Sequence, residues 1–107
     1  MTKDEAREKL RAYRVFIDDL DRQITGLLNE RVRLVEEIGR VKRDADMPVV
    51  EPDREQRVFD NVRSVTSDDP LAQQAMQRIF ERIMEEMREI QRLRMESNGN
   101  GPSVKNG

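Results

Sequence analysis

Between residues 4 and 43 there is no proline, and apolar or aromatic residues recur at alternating steps of three and four. Leu10, Tyr13, Ile17, Leu20, Ile24 and Leu27 make the first part of the series, and Leu34, Ile38 and Val41 continue it. A strand would need period two, so this spacing predicts one long amphipathic helix with a heptad seam. Thr2 or Asp4 can cap its start, with acidic residues following in the first turn. At about 1.5 Å per residue such a helix runs to roughly 60 Å. A compact chain of about this size has a radius of gyration near 13 Å. The helix overshoots that globule, so its ends are expected to pack against another chain. One slot of the seam is filled by Arg31 instead of a hydrophobe.

Composition supports helices and narrows the chemistry. Charged residues make up 39% and hydrophobic ones 36% of 107 residues, with no Trp, which suits long helices with narrow apolar stripes. The 20 basic and 22 acidic residues are interspersed, so no basic field is available for nucleic acid. Cysteine and histidine are absent, which excludes disulfides, the usual zinc sites and Cys or His nucleophile–base pairs. Any enzymatic chemistry is therefore not expected to be proton shuttling near neutral pH. No apolar run approaches the roughly 20 residues of a membrane span. The N-terminal MTKDEAREKL lacks a signal-peptide core. A soluble, cytoplasmic protein without membrane or nucleic-acid partners is the expectation.

The remaining chain divides at prolines. Residues 43–51 carry Pro48 and break the periodicity, predicting a loop. Pro52 opens a second helix at its favoured first position, with Val58, Phe59, Val62 and Val65 on the apolar face and an end near Thr66. Ser67-Asp68-Asp69-Pro70 is a cap followed by proline, a strong start signal for a third helix reaching about Glu96. Leu71, Ala75, Met76, Ile79, Phe80, Ile83, Met84, Met87 and Ile90 are expected inward, and Glu81, Arg82, Glu85, Glu89 and Arg92 on a solvated face. Residues 1–96 thus read as one helical domain. Residues 97–107, rich in Gly, Asn and Ser, read as a disordered tail or linker.

Several polar residues interrupt this frame. Arg31 in the seam is half of a buried ion pair, with Glu30 and Glu37 nearby, or snorkels to the surface, or is part of an anion site. Lys42 lies eleven residues on, only about 20° off the same face and roughly 16 Å along the axis of an ideal helix. Alone it is a favourable partner of the helix dipole; with Arg31 it can converge on an anion along that face. Gln91 follows Phe80, Met84 and Met87 at helical spacing, turning an amide toward the apolar side or its rim. Glu55 in the first turn of helix two suits the dipole, whereas Arg54 opposes it and wants another reason. Arg14 is 17 residues from Arg31, hence about 25 Å away and rotated by about 100° on one helix. Arg14 is therefore either a surface residue or a contributor to a neighbouring subunit's pocket.

The string Leu10-Arg11-x2-Arg14-x2-Ile17-Asp18-x-Leu20-Asp21-x2-Ile24-x2-Leu27-Leu28-x-Glu30-Arg31 resembles the opening of the all-helical (AroQ-class) chorismate mutases. It continues as Glu37-Ile38-Gly39-x2-Lys42, then Pro48-Val49-x2-Pro52-x-Arg54-Glu55, and helix three adds Ile79-Phe80-x2-Ile83 and Gln91. The resemblance covers about residues 7–92 and is specific, because polar positions in all three helices agree at once. It implies conversion of chorismate to prephenate by a 3,3-sigmatropic (Claisen) rearrangement in aromatic amino-acid biosynthesis. Such a step needs no nucleophile, metal or redox cofactor. Catalysis would come from holding a dianionic substrate in its folded conformer and stabilising charge on the ether oxygen.

By that resemblance Arg31 and a partner-chain Arg14 bind the two carboxylates, for which a planar guanidinium is suited. Lys42 and Gln91 donate to the ether oxygen. Glu55, with the backbone near Glu51, holds the ring hydroxyl, and Arg54 completes the positive wall. The implied fold is all-α, with three helices per chain, one very long, in an intertwined homodimer. Two positions depart from a common family form: Met87 stands where a small hydroxyl residue often lines the pocket, and Arg88 where an apolar one is frequent. An isochorismate pyruvate lyase, which shares the fold, and a non-catalytic helical dimerisation or sensor domain remain the alternatives.

Overall fold

The computed structural model describes residues 1–100, the side chains of 97–100 excepted. It contains α1 (Lys3–Asp44), α2 (Pro52–Val65) and α3 (Pro70–Asn100), and no strand among the described residues. The all-helical class and the order of three helices agree with the sequence reading. The α3 backbone continues past the expected end at Glu96 to Asn100. The rest of the expected tail or linker, residues 101–107, lies outside the described residues. No helix is long and apolar enough to cross a membrane, among the described residues.

Each helix starts where its first residues compel it to. Thr2 Oγ1 accepts from the Glu5 amide at 3.0 Å, and the Glu5 carboxylate reaches back to the Thr2 amide at 3.4 Å. That reciprocal capping box makes Thr2, not Asp4, the cap of α1, because Asp4 is engaged with Arg7 instead. Pro52 stands at the start of α2, where its missing N–H costs no helical bond. Asp69 Oδ1 accepts from the Leu71 amide at 3.0 Å and caps α3, leaving Pro70 at the first helical position.

The end of α1 is built without glycine. Asp46 has φ 57°, in the left-handed region. The Asp46 amide donates to the Arg43 carbonyl at 3.2 Å and the Met47 amide to the Lys42 carbonyl at 2.7 Å. These are the two bonds of a Schellman motif, which reverses the chain directly after Lys42.

Met1–Arg33 and the chain from Leu34 onward form two compact units. In the second unit α2 packs on α3. The buried apolar side chains are Val35, Val58, Met84 and Met87, joined by the buried amide of Gln91. Phe59, Val62, Ala75, Phe80, Ile83 and Ile90 are half-buried around them. Four residues expected inward are exposed instead: Val65, Leu71, Met76 and Ile79. Val65 and Leu71 lie in the end turns of their helices, beside the α2–α3 turn, so helical period alone overstated how far the packed face extends. The solvated face of α3 is as expected except that Glu89 is half-buried, with Arg82 bridging to Glu86 at 2.9 Å and Arg92 between Glu89 and Glu96. The hydrogen bond and charge of Glu89, with Glu96 adding to them, raise the pKa of the Arg92 guanidinium above its ordinary value.

The apolar seam of α1 is exposed along its whole length in the single chain. Leu10, Tyr13, Ile17, Leu20, Ile24, Leu27, Leu34, Ile38 and Val41 are between 46% and 66% exposed. The first unit, Met1–Arg33, buries none of its residues.

Candidate active site

In the second unit the sequence-predicted polar residues are held by three separate devices. Lys42 ends in the last turn of α1, and its side chain is 12% exposed. Its ammonium donates to the Val49 carbonyl at 2.8 Å and pairs with Glu51 at 3.0 Å. The Schellman turn explains this: the chain doubles back after Lys42, so the 48–51 segment lies within the side chain's reach. Two of the three ammonium protons are thereby directed, leaving one for another acceptor. Glu51, expected near the ring hydroxyl, engages Lys42 through its carboxylate.

Gln91 is 7% exposed, far more enclosed than a rim residue. Its Nε2 donates to the Val35 carbonyl of α1 at 3.0 Å. A carbonyl can only accept, so this bond fixes which end of the amide is nitrogen, and the second N–H of Nε2 remains to be donated. Gly39 lies against the same side chain: a Cβ built there would meet Gln91 Cγ at 3.5 Å and Cδ at 3.8 Å. Gln91 therefore packs between α3 and the last turns of α1.

Glu55 faces α3 rather than open solvent. Its Oε2 accepts from Arg88 Nη1 at 2.6 Å, across 33 residues of chain. Arg88, a departure from the common family form, is thus bonded to one of the candidate residues. Met87, the other departure, is a buried core side chain. Arg54 is exposed in the first turn of α2 between Asp53 and Glu55, whose acidity offsets the unfavourable dipole.

The remaining two candidates lie in the first unit. Arg31 is half-buried in the seam position its sequence register assigns. Arg14 is exposed and borders a shallow depression of about 360 Å³ with Arg7, Arg11 and Asp18.

Around Gln91 lies a second set of residues, of which Glu36, Arg40, Arg43 and Arg94 were not singled out in the sequence. A cavity of about 370 Å³ is lined by Gln91, Glu36, Arg40, Arg43 and Arg94, with Gly39 and Met95. Lys42 and Glu55 do not line it. Arg94 Nε donates to Glu36 at 2.6 Å, and Arg40 is bonded to Glu37. The available signal was spacing, since Arg94 is three residues beyond Gln91 and Arg40 and Arg43 share one face of α1.

Comparison with known proteins places these residues in a family. Residues 13–92 match the family described as chorismate mutase type II. The chain is 27% identical over 93 residues to a chorismate mutase of Methanocaldococcus jannaschii, covering 87% of this chain and 94% of the relative. It is 40% identical over 55 residues to a bifunctional chorismate mutase/prephenate dehydratase of Aquifex aeolicus, 51% of this chain. This chain spans only 15% of that relative's length. Among solved structures, the form II chorismate mutase of Thermus thermophilus superposes with a TM-score of 0.72 at 27% identity, covering 78% of this chain and 94% of that one.

Proposed function

We propose that this chain, which belongs to the chorismate mutase type II family, rearranges chorismate to prephenate. The observation that carries the reading is the pair of positioned donors. Lys42 is held by Val49 and Glu51, and Gln91 by Val35, and each keeps a donor uncommitted. In a Claisen rearrangement the ether C–O bond breaks as a C–C bond forms, and negative charge grows on the ether oxygen. Donors fixed beforehand stabilise that charge without reorganising during the step. Lys42 and Gln91 are assigned this role.

The substrate carries two carboxylates, and the rearrangement requires its extended form to fold. Arg31, with Arg14 of the partner subunit, is assigned to the carboxylates, and Arg54 to the positive wall beside them. Holding both ends lowers the entropic part of the barrier. Glu55 is assigned to the ring hydroxyl as hydrogen-bond acceptor, with the backbone near Glu51 beside it.

The same reading includes a homodimer built on α1. Its support is the uninterrupted exposure of the seam, a set of large apolar side chains too extensive for a solvated face. Arg14 then has a reason to be where it is, on a part of α1 about 25 Å from Arg31. A place in the cytoplasm follows from the pathway this reaction serves.

The test is incubation of the purified chain with chorismate, following prephenate. Stoichiometric prephenate is expected. Pyruvate released from isochorismate with no prephenate from chorismate would replace the mutase by a lyase. Neither product, from a helical and saturated protein, would leave a binding domain.

A further inference from the structure

We propose that Arg88 is a positioning residue for the Glu55 carboxylate; this rests on the assignment of Glu55 to the substrate's ring hydroxyl. The ion pair differs in kind from those within a single helix. Pairs such as Arg7–Asp4, Arg82–Glu86 and Arg92–Glu96 join residues three or four apart on one exposed helix face. Arg88–Glu55 joins α3 to α2, at 2.6 Å, with the side chains only 36% and 29% exposed. Pairs of the first kind contribute little; a partly enclosed, charge-assisted bond is roughly twice as strong as a neutral one and directs its partners.

Both ends of the bond stand on packed backbone. Glu55 is one turn before the buried Val58, and Arg88 follows Met87 and lies one turn after Met84, both buried. The helix contact therefore sets the distance between their Cα atoms. Glutamate alone has three rotatable bonds and no fixed direction. With Oε2 held by Arg88, the swing of the carboxylate is restricted and Oε1 is the oxygen left for another donor. An ionised carboxylate accepts only, so the group it can orient is a hydroxyl or N–H, which matches a ring hydroxyl. Arg88 itself need not touch substrate.

The experiment compares Arg88→Ala, Arg88→Lys and Glu55→Ala with the parent chain, on chorismate and on a chorismate analogue lacking the ring hydroxyl. On chorismate, Arg88→Ala is expected to lose about tenfold in kcat/KM, the scale of one hydrogen bond to a charged group. Arg88→Lys should recover part of it, since the charge returns without the planar fork. On the analogue, Arg88→Ala and the parent should be equal, because the oriented acceptor has nothing to receive. Adding Arg88→Ala to Glu55→Ala should cost nothing more. Arg88→Ala equal to the parent on chorismate, an equal loss on both substrates, or additive losses in the double variant would each overturn the proposal. If Arg88→Ala does not fold, the ratio of the two substrates for Arg88→Lys decides in the same way. A parent chain inactive on chorismate removes the assigned reaction, and this proposal with it, before any variant is compared.

Discussion

Lys42 and Gln91, the donors proposed for the ether oxygen, illustrate what such a role requires beyond residue identity. Each is pinned by a backbone carbonyl, Val49 for the lysine and Val35 for the glutamine. Lys42→Ala is expected to lower kcat by about 10²-fold or more, the scale of one preorganised donor to a developing oxyanion. A loss below tenfold in steady-state kinetics would remove Lys42 from that role. Glu51→Gln should keep the 48–51 segment in place while weakening the hold on Lys42, so kcat should fall by less than in Lys42→Ala. The residue types were legible in the sequence because Lys42, Gln91 and Glu55 keep helical register with their neighbours. Their anchors were not. A carbonyl acceptor is common to every residue, so nothing in the letters at 35 or 49 announces it. Arg88 was legible only as a departure from an apolar position; its bond to Glu55 depends on the packing of two helices whose relative rotation no single-helix period specifies.

Helix boundaries follow from prolines and caps, and here the sequence was most readable. Pro52 and Asp69-Pro70 start α2 and α3 where those residues dictate. Asp69→Ala is expected to cost about 1 kcal/mol of stability, the usual value of a lost N-cap, read as a shift of the urea midpoint without change of slope. The end of α1 was less readable, because its left-handed residue is Asp46 and not the glycine that usually marks such a stop. That substitution suggests a route to stabilisation. Asp46→Gly relieves a backbone conformation that an L-residue tolerates poorly, and should raise stability by up to about 1 kcal/mol, the two Schellman bonds being kept. Gly39 offers a second gain of similar size. An added methyl would meet Gln91 only at ordinary contact distance, and alanine is about 1 kcal/mol better than glycine within a helix. A rise in thermal midpoint for Gly39→Ala, with kcat retained, would show that Gln91 keeps its bond to Val35.

At the scale of the molecule, the exposed seam and the position of Arg14 make one demand between them. The heptad steps of α1 were plain in the sequence, but a seam read from one chain gives no partner, and the helix could equally have been covered from within. The seam is not: its apolar side chains from Leu10 to Val41 stand open, while Val35, which lies off the seam, is buried with Val58, Met84 and Met87. If the proposed dimer forms on this seam, replacing Leu20 or Ile24 by glutamate should convert it to monomer in sedimentation equilibrium and lower the helix content together with it. The sharing of sites has a stricter test. Arg14 and Arg31 are 17 residues apart on α1, so one small ligand cannot reach both from a single copy. Arg14→Ala and Arg31→Ala should each be nearly inactive. If each pocket takes Arg14 from one chain and Arg31 from the other, a mixed dimer holds one pocket with both lesions and one with neither. Mixing the two variants under conditions of proven subunit exchange should then restore up to about a quarter of the parent activity: half the dimers are mixed, and half their pockets intact. No recovery would take at least one of the two arginines out of a shared pocket, and α1 would then need another explanation for its open seam.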